Sequence, residues 1–134
     1  MNITEQHKIK ITEIAQKYEL SLVLLFGSQA RGKTHPQSDV DVGFFSDHSM
    51  GLREIAQLEF EMSQTLQIGS LELVRLNGMS SLFLKNVLDD GILLYERAPG
   101  DYTSFAGIVF KRFVEEKPLR ELRKSALEAL STAV

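Results

Sequence analysis

Residues 26 to 41 carry the side chains in this sequence that are best suited to chemistry, and they read FGSQARGKTHPQSDVD. Gly27 and Ser28 follow an apolar run at residues 22 to 26, which predicts a tight turn after a buried strand. A glycine there lets backbone N–H groups approach an anion, and the Ser28 hydroxyl adds a donor. A short helix starting near Ser28 would point its positive end at the same place. The turn is therefore predicted to form half of a phosphate site.

Asp39 and Asp41 would supply the other half of the site. On a strand, residues i and i+2 point to the same side, so these carboxylates would project together with backbones about 6 to 7 Å apart. Apolar neighbours at positions 40, 42, 44 and 45 place them at the start of a buried strand, where unpaired carboxylates are costly. Oxygen ligands at this spacing suit Mg²⁺, with phosphate oxygens and water completing its shell.

Each half also has a simpler interpretation. Gly-Ser after a strand is most often only a turn, and Asp-x-Asp near a loop is most often solvated or capping. The two halves are separated by one glycine-containing loop, and this arrangement favours a joint site. His35 and His48 are interpreted as loop residues.

Composition limits the remaining possibilities. The chain has 134 residues, 15 basic and 18 acidic side chains, a net charge of −3 and no cysteine. This indicates one domain, without thiolate chemistry and without the cationic excess that binds nucleic acid nonspecifically. The longest apolar run is far shorter than the ~20 residues that span a bilayer, and the N-terminus lacks a signal-like stretch. We therefore expect a cytoplasmic protein that contacts neither a membrane nor nucleic acid directly.

Helical and extended patterns alternate along the chain. Asp101 is predicted to cap a helix that carries Phe105, Val109 and Phe113 on one stripe, and Pro118 should end or kink it. Helices are predicted at residues 4–19, 52–66, 82–88 and 119–130, and strands at 22–26, 39–45, 71–76 and 92–95. This predicts an α/β (α+β) fold with a small mixed sheet flanked by helices and a C-terminal helical extension. Residues 1–100 carry a net charge of −4 and residues 101–134 a net charge of +1, which fits either a solvated helical face or a partner-binding extension.

The motif resembles the signature of the nucleotidyltransferase superfamily related to DNA polymerase beta. Its form, Phe-Gly-Ser-x-Ala-Arg-Gly followed by Ser-Asp-x-Asp, is similar to that of the minimal nucleotidyltransferases, which include the MntA antitoxins that pair with HepT toxins. The resemblance covers most of residues 1–97, expected to be the catalytic core, and leaves 98–134 as a helical extension of the same domain.

The resemblance implies specific roles for the motif residues. Gly27 and Ser28 would hold the phosphates of ATP, and Asp39 and Asp41 would ligate two Mg²⁺ ions. The third carboxylate of the family corresponds here to Glu72, although the family more often has Asp. Further nucleotide contacts are expected from Arg31, Gly32 and Ser38. The alternatives are that Glu72 is only an outward-facing strand residue and that Arg31 is a surface arginine.

The resemblance also implies a reaction and a partner. The expected activity is Mg²⁺-dependent transfer of AMP from ATP to a tyrosine of a HepT-like RNase toxin, which silences the toxin. Two alternatives remain open. The chain could be a non-catalytic antitoxin that presents Phe105, Val109 and Phe113 to its partner, or it could modify a small molecule such as an antibiotic.

Overall fold

The computed structural model describes residues 3–27 and 40–132 of the chain. Within these ranges, helices and strands follow one another in the predicted order, and only their bounds differ. They are α1 (Glu5–Lys17), β1 (Leu20–Phe26), β2 (Val40–Ser46), α2 (Leu52–Leu66), β3 (Leu71–Arg75), α3 (Ser81–Asp90), β4 (Ile92–Glu96), α4 (Asp101–Glu115) and α5 (Lys117–Thr132). No helix in these ranges combines the length and the apolar character that crossing a membrane requires.

The four strands form one mixed sheet in the order β3-β2-β1-β4. β1 pairs antiparallel with both β2 and β4, whereas β2 and β3 run parallel. The apolar run in β1 lies at the centre of the sheet, and residues 22 to 25 are at most 4% exposed. A strand that contacts neighbours on both edges and helices on both faces must be apolar throughout, which explains the run. The predicted mixed sheet is confirmed.

Each face of the sheet is covered by two helices. On one face, Val42 and Phe44 pack with residues of α1 and α2 such as Ile11 and Met62. On the other face, Leu22 and Leu24 pack with residues of α3 and α4. Successive side chains of β1 enter alternate clusters because the side-chain period of a strand is two. Asp41, between Val40 and Val42, therefore belongs to the face that α3 and α4 cover.

The prediction that Asp101 caps α4 is wrong. The residue at its N-cap is Gly100, whose φ of +94° is left-handed, and no side chain caps the helix. Asp101 is instead the first helical residue, and its Oδ2 accepts a hydrogen bond from the Ala98 N–H at 3.0 Å. The apolar stripe of α4, which a non-catalytic antitoxin would present to its partner, packs largely against other parts of the chain.

The stripe of α4 is covered within the chain. Val109 is 1% exposed, and the ring of Phe105 packs edge-on against Phe45 with centroids 4.8 Å apart. Phe113 carries the Lys85 ammonium 5.0 Å and the Arg120 guanidinium 3.7 Å from its ring centroid. Val109 is therefore part of the core, and Phe105 and Phe113 are half-buried against other side chains of the chain. The predicted break near Pro118 is confirmed, because α4 ends at Glu115 and α5 begins at Lys117.

Candidate active site

The turn at the end of β1 lies directly against the carboxylate of β2. Phe26 pairs with Asp41 across the antiparallel strands, and Gly27 then turns the chain with a φ of +84°. A Cβ at Gly27 would collide with Oδ2 of Asp41. Both the left-handed backbone and the space beside Asp41 therefore require glycine at this position.

Asp41 and Glu72 are neighbours in the sheet. The parallel register of β2 and β3 pairs Asp41 with Glu72, and adjacent strands lie about 4.8 Å apart. Paired residues project from the same face, so both carboxylates lie on the side of α3 and α4. The Asp41 side chain is half-buried, and Glu72 on the edge strand is exposed. The structure thus places the predicted third carboxylate beside the second.

The position of β3 depends on contacts that sequence patterns did not reveal. The Leu73 N–H donates to Oε1 of Glu59 on α2 at 3.1 Å, and the Val40 N–H donates to the Ser70 carbonyl at 3.1 Å. The first contact satisfies a backbone donor of an edge strand, and the second aligns the start of β2 with the start of β3. Glu59 therefore helps to hold the strand that carries Glu72. In the sequence, Glu59 is one of several polar residues on an amphipathic helix, and nothing distinguishes it.

An apolar layer lies on the same face as the two carboxylates. The rings of Phe26 and Phe83 meet edge-on, with centroids 6.1 Å apart and an interplanar angle of 85°. Two positions along β2 from Asp41, a Cβ on Gly43 would lie 2.7 Å from Cδ1 of Leu76, so glycine permits that close packing. The carboxylates consequently project beside packed aromatic and aliphatic side chains.

The remaining predicted site residues lie outside the described residues. They are Ser28, Arg31, Gly32, Ser38 and Asp39, together with the loop residue His35. Of the predicted site, the described part of the chain therefore brings together Gly27, Asp41 and Glu72. His48 follows the opposite end of β2, and its Nε2 lies 3.3 Å from Oε1 of Glu54, which agrees with a loop role.

Shifted pKa values occur on the other face of the sheet, between α1 and α2. Burial raises the pKa of Tyr18 to about 12, assisted by a hydrogen bond to Glu61 and its charge. The pKa of Glu61 is lowered chiefly by its contact with Lys17, whose Nζ lies 2.5 Å from Oε1. This cluster joins two helices on the face opposite Asp41, and we interpret it as structural.

Most of the chain matches a known protein family. Residues 9–100 match the sequence profile described as Polymerase beta, Nucleotidyltransferase. The chain belongs to this nucleotidyltransferase family. The match extends from α1 through β4 and includes the Gly27 turn, Asp41 and Glu72, so the family resemblance read from the motif is confirmed.

This nucleotidyltransferase is similar to several known proteins. It is 25% identical over 91 residues to a candidate protein adenylyltransferase of Methanocaldococcus jannaschii, covering 68% of this chain and 89% of that protein. Its fold resembles a toxin–antitoxin structure with AMP-PNP at a TM-score of 0.72, 21% identity and coverage of 92% and 98% of the two chains. Its fold also resembles one chain in the structure of a tri-AMPylated Shewanella oneidensis HEPN toxin in complex with MNT antitoxin. The TM-score is 0.66, the identity is 19%, and the match covers 93% of this chain and 96% of that chain.

The carboxylates of this nucleotidyltransferase fit a magnesium site in their chemistry. Asp41 and Glu72 offer hard oxygen donors from adjacent strands, and Gly27 keeps the volume beside Asp41 free of a side chain. Among residues 3–27 and 40–132, no three His, Cys, Asp or Glu side chains converge as a metal-binding group. Asp39, the first carboxylate of the predicted set, lies outside those ranges.

Proposed function

We propose that this nucleotidyltransferase is a protein adenylyltransferase that transfers AMP from ATP to a tyrosine hydroxyl of a HepT-like toxin, and that it acts as the antitoxin. The observation that carries the proposal is the pairing of Asp41 with Glu72 beside the Gly27 turn. Family membership supports nucleotidyl transfer, and the toxin–antitoxin relatives support a protein acceptor.

We assign roles by position in the motif. Asp39, Asp41 and Glu72 would hold two Mg²⁺ ions, and Gly27 and Ser28 would bind the phosphates through backbone N–H groups and a hydroxyl. Arg31, Gly32 and Ser38 complete the proposed nucleotide-binding set. When bound, Mg²⁺ neutralises charge on the transferred group and on the departing pyrophosphate.

The proposed reaction is a substitution at the α-phosphorus of ATP. A bond forms between the tyrosine oxygen and that phosphorus, and the bond to the oxygen bridging the α and β phosphates breaks. Pyrophosphate leaves with the bonding electron pair. The hydroxyl proton passes to the Glu72 carboxylate, the candidate acceptor within the chain, and from there to solvent. Such chemistry depends mainly on positioning and charge neutralisation, which agrees with a site built from carboxylates and a glycine turn.

The acceptor is proposed to come from another protein. Residues 1–97 would form the catalytic core and 98–134 a helical extension of it. A toxin carrying AMP groups in a relative's complex supports a protein acceptor. Use of ATP and a toxin inside the cell would place this activity in the cytoplasm.

The test is to incubate the protein with ATP, Mg²⁺ and the HepT-like protein of the same genome, and then to measure intact masses. We expect increments of one or more AMP groups on a tyrosine of the acceptor. A D39N/D41N double variant should give none, because the charges proposed to hold Mg²⁺ are gone. Thermal melting of the variant checks that it folds.

Other outcomes would contradict the proposal. If the double variant neutralises the toxin as fully as the unchanged protein, the chain acts by binding rather than by catalysis. Labelled product with aminoglycosides and none with the protein acceptor would indicate a small-molecule enzyme.

A further inference from the structure

Helix α5 lies on the surface without a core of its own. None of its 16 residues, from Lys117 to Thr132, is buried. Leu122, Leu127 and Leu130 are 66%, 66% and 65% exposed. An isolated helix of this length is only marginally stable in water, and most helices in proteins are stabilised by packing an apolar face. The helix therefore gains stability when another surface covers it.

One side of α5 forms a groove with the first turn of α3. We call it the α3–α5 groove; it has a volume of about 470 Å³. Its apolar contributors are Leu82 of α3 and Leu127 of α5, and its charged contributors are Arg120, Arg123, Lys124 and Glu128. It therefore combines two exposed leucines with three cations and one carboxylate.

The cations of the groove differ in their ion pairing from the other cations on the C-terminal helices. Lys111, Arg112 and Lys117 form ion pairs with glutamates one turn further along, at 4.0, 3.7 and 4.0 Å. Within the described residues, Arg120, Arg123 and Lys124 form no ion pair.

Arg120 is held in place by an aromatic ring. Its guanidinium stacks over Phe113, and its Nη1 is enclosed without a hydrogen-bond partner in the described part of the chain. The chain as a whole has a net charge of −3, so this groove is a local concentration of unpaired positive charge. Such a surface is complementary to carboxylates.

The groove includes the first turn of α3, a helix that packs on the same face of the sheet as Asp41. Leu82 is adjacent in sequence to Phe83, whose ring meets Phe26, and Phe26 is paired with Asp41. A segment bound in the groove would therefore contact α3, the helix that contributes Phe83 to the layer beside Asp41. This continuity favours an occupant that also delivers a group to the site.

We infer that the α3–α5 groove docks an acidic, partly apolar segment of the acceptor protein and so holds the acceptor hydroxyl near Asp41 and Glu72. The inference rests on the proposed function for the identity of the acceptor. Apolar side chains of the segment would cover Leu82 and Leu127, and its carboxylates would pair with the three cations. Three cations on a chain of net charge −3 suit a protein segment better than a nucleic acid backbone.

The experiment measures binding of the HepT-like protein by calorimetry without ATP, and AMP transfer separately. L127D is compared with L122D, since both leucines lie on α5 with the same 66% exposure and only Leu127 lines the groove. K124E is compared with K117E in the same way. We expect L127D and K124E each to raise Kd by about tenfold or more, as loss of a central contact does, and the controls to change it less than about twofold. The KM for the acceptor should rise in parallel, with kcat at saturating acceptor nearly unchanged.

The outcomes separate this inference from the proposed function. Groove-dependent binding without AMP transfer would support the docking surface and reject the enzymatic proposal. AMP transfer with an unchanged KM for the acceptor in L127D and K124E would support the enzymatic proposal and reject the docking surface. Docking is also overturned if L122D weakens binding as much as L127D, or if the unchanged protein does not bind the HepT-like protein.

Two further results would assign the groove to a different occupant. Self-association in sedimentation that L127D abolishes would identify a second copy of the chain. Binding of a labelled single-stranded RNA that K124E abolishes would identify nucleic acid. Circular dichroism of each variant checks that α5 stays helical.

Discussion

Asp41 on β2 and Glu72 on β3 are direct partners in a parallel register, and both project from the face of the sheet that α3 and α4 cover. Two carboxylates on neighbouring strands repel each other, and a cation between them relieves the repulsion. A cation at this pair is what the proposed function requires, and Gly27 leaves the space beside Asp41 free of a side chain.

The charge of Glu72 should matter more than its length. We expect Glu72→Gln to lower kcat/KM for AMP transfer by roughly 10²-fold, comparable to the loss of one electrostatic contact with a transition state. It should also raise the Mg²⁺ concentration needed for half-maximal rate. Glu72→Asp keeps the charge and should retain more activity. Initial rates with labelled ATP measure both effects, and a wild-type rate for Glu72→Gln would show that Glu72 is only a surface residue.

Replacing Gly27 with alanine should cost more stability than replacing Gly78, a glycine with a similar φ. Gly27 and Gly78 have φ values of +84° and +78°, so alanine is strained at both, by about 1 to 2 kcal/mol. Only at Gly27 does the new Cβ meet the Asp41 carboxylate, whereas nothing lies within 4 Å at Gly78. We expect Gly27→Ala to lower the free energy of unfolding by a further 1 to 3 kcal/mol or so. Urea titrations compare the two, and equal losses would mean that the contact with Asp41 is unimportant.

The hydrogen bond from Leu73 to Glu59 should stabilise the edge strand. Glu59→Ala leaves the Leu73 N–H without its acceptor and should cost about 1 kcal/mol. Glu59→Gln keeps an oxygen that can accept, and it serves as the matched control. Amide hydrogen exchange at Leu73 should become faster in the alanine variant only. Unchanged protection in Glu59→Ala would show that β3 does not depend on this contact.

The raised pKa of Tyr18 predicts a loss of stability at high pH. Burial and the Glu61 carboxylate raise this pKa from 10.0 to about 12, so the folded state keeps a proton that the unfolded state releases. The contribution is complete below pH 10.0 and is lost as the pH rises towards about 12. Urea titrations across this range should show a steeper fall for the wild type than for Tyr18→Phe, which has no hydroxyl to ionise. Parallel curves would contradict the shift.

The pattern of residues was sufficient to predict the architecture and the family. The apolar run of β1, the helical spacing in α2 and the punctuation by glycine are local signals, and the mixed sheet they predict is confirmed. The Gly-Ser and Asp-x-Asp motif resembles the nucleotidyltransferase signature, and membership of that family is confirmed. The roles of all the predicted site residues remain predictions; these residues are Gly27, Ser28, Arg31, Gly32, Ser38, Asp39, Asp41 and Glu72.

Predictions failed where distant packing decides the outcome. Asp101 has the side chain of a helix cap, yet Gly100 occupies the cap position with a left-handed backbone. The stripe of Phe105 and Val109 is compatible with either a partner or a core, and the tertiary structure assigns it to the core. Periodicity tells which side chains share a face but not what covers that face.

The sequence by itself determined the family, the order of the elements and the identity of the chemical groups. Only the tertiary structure decided that Glu72 lies beside Asp41, that Glu59 holds β3, and that the unpaired cations of α5 line a groove with Leu82. The reason is that strand register and helix packing depend on contacts between residues far apart in the chain. Those contacts follow from the combined packing of the whole core, which no local pattern contains.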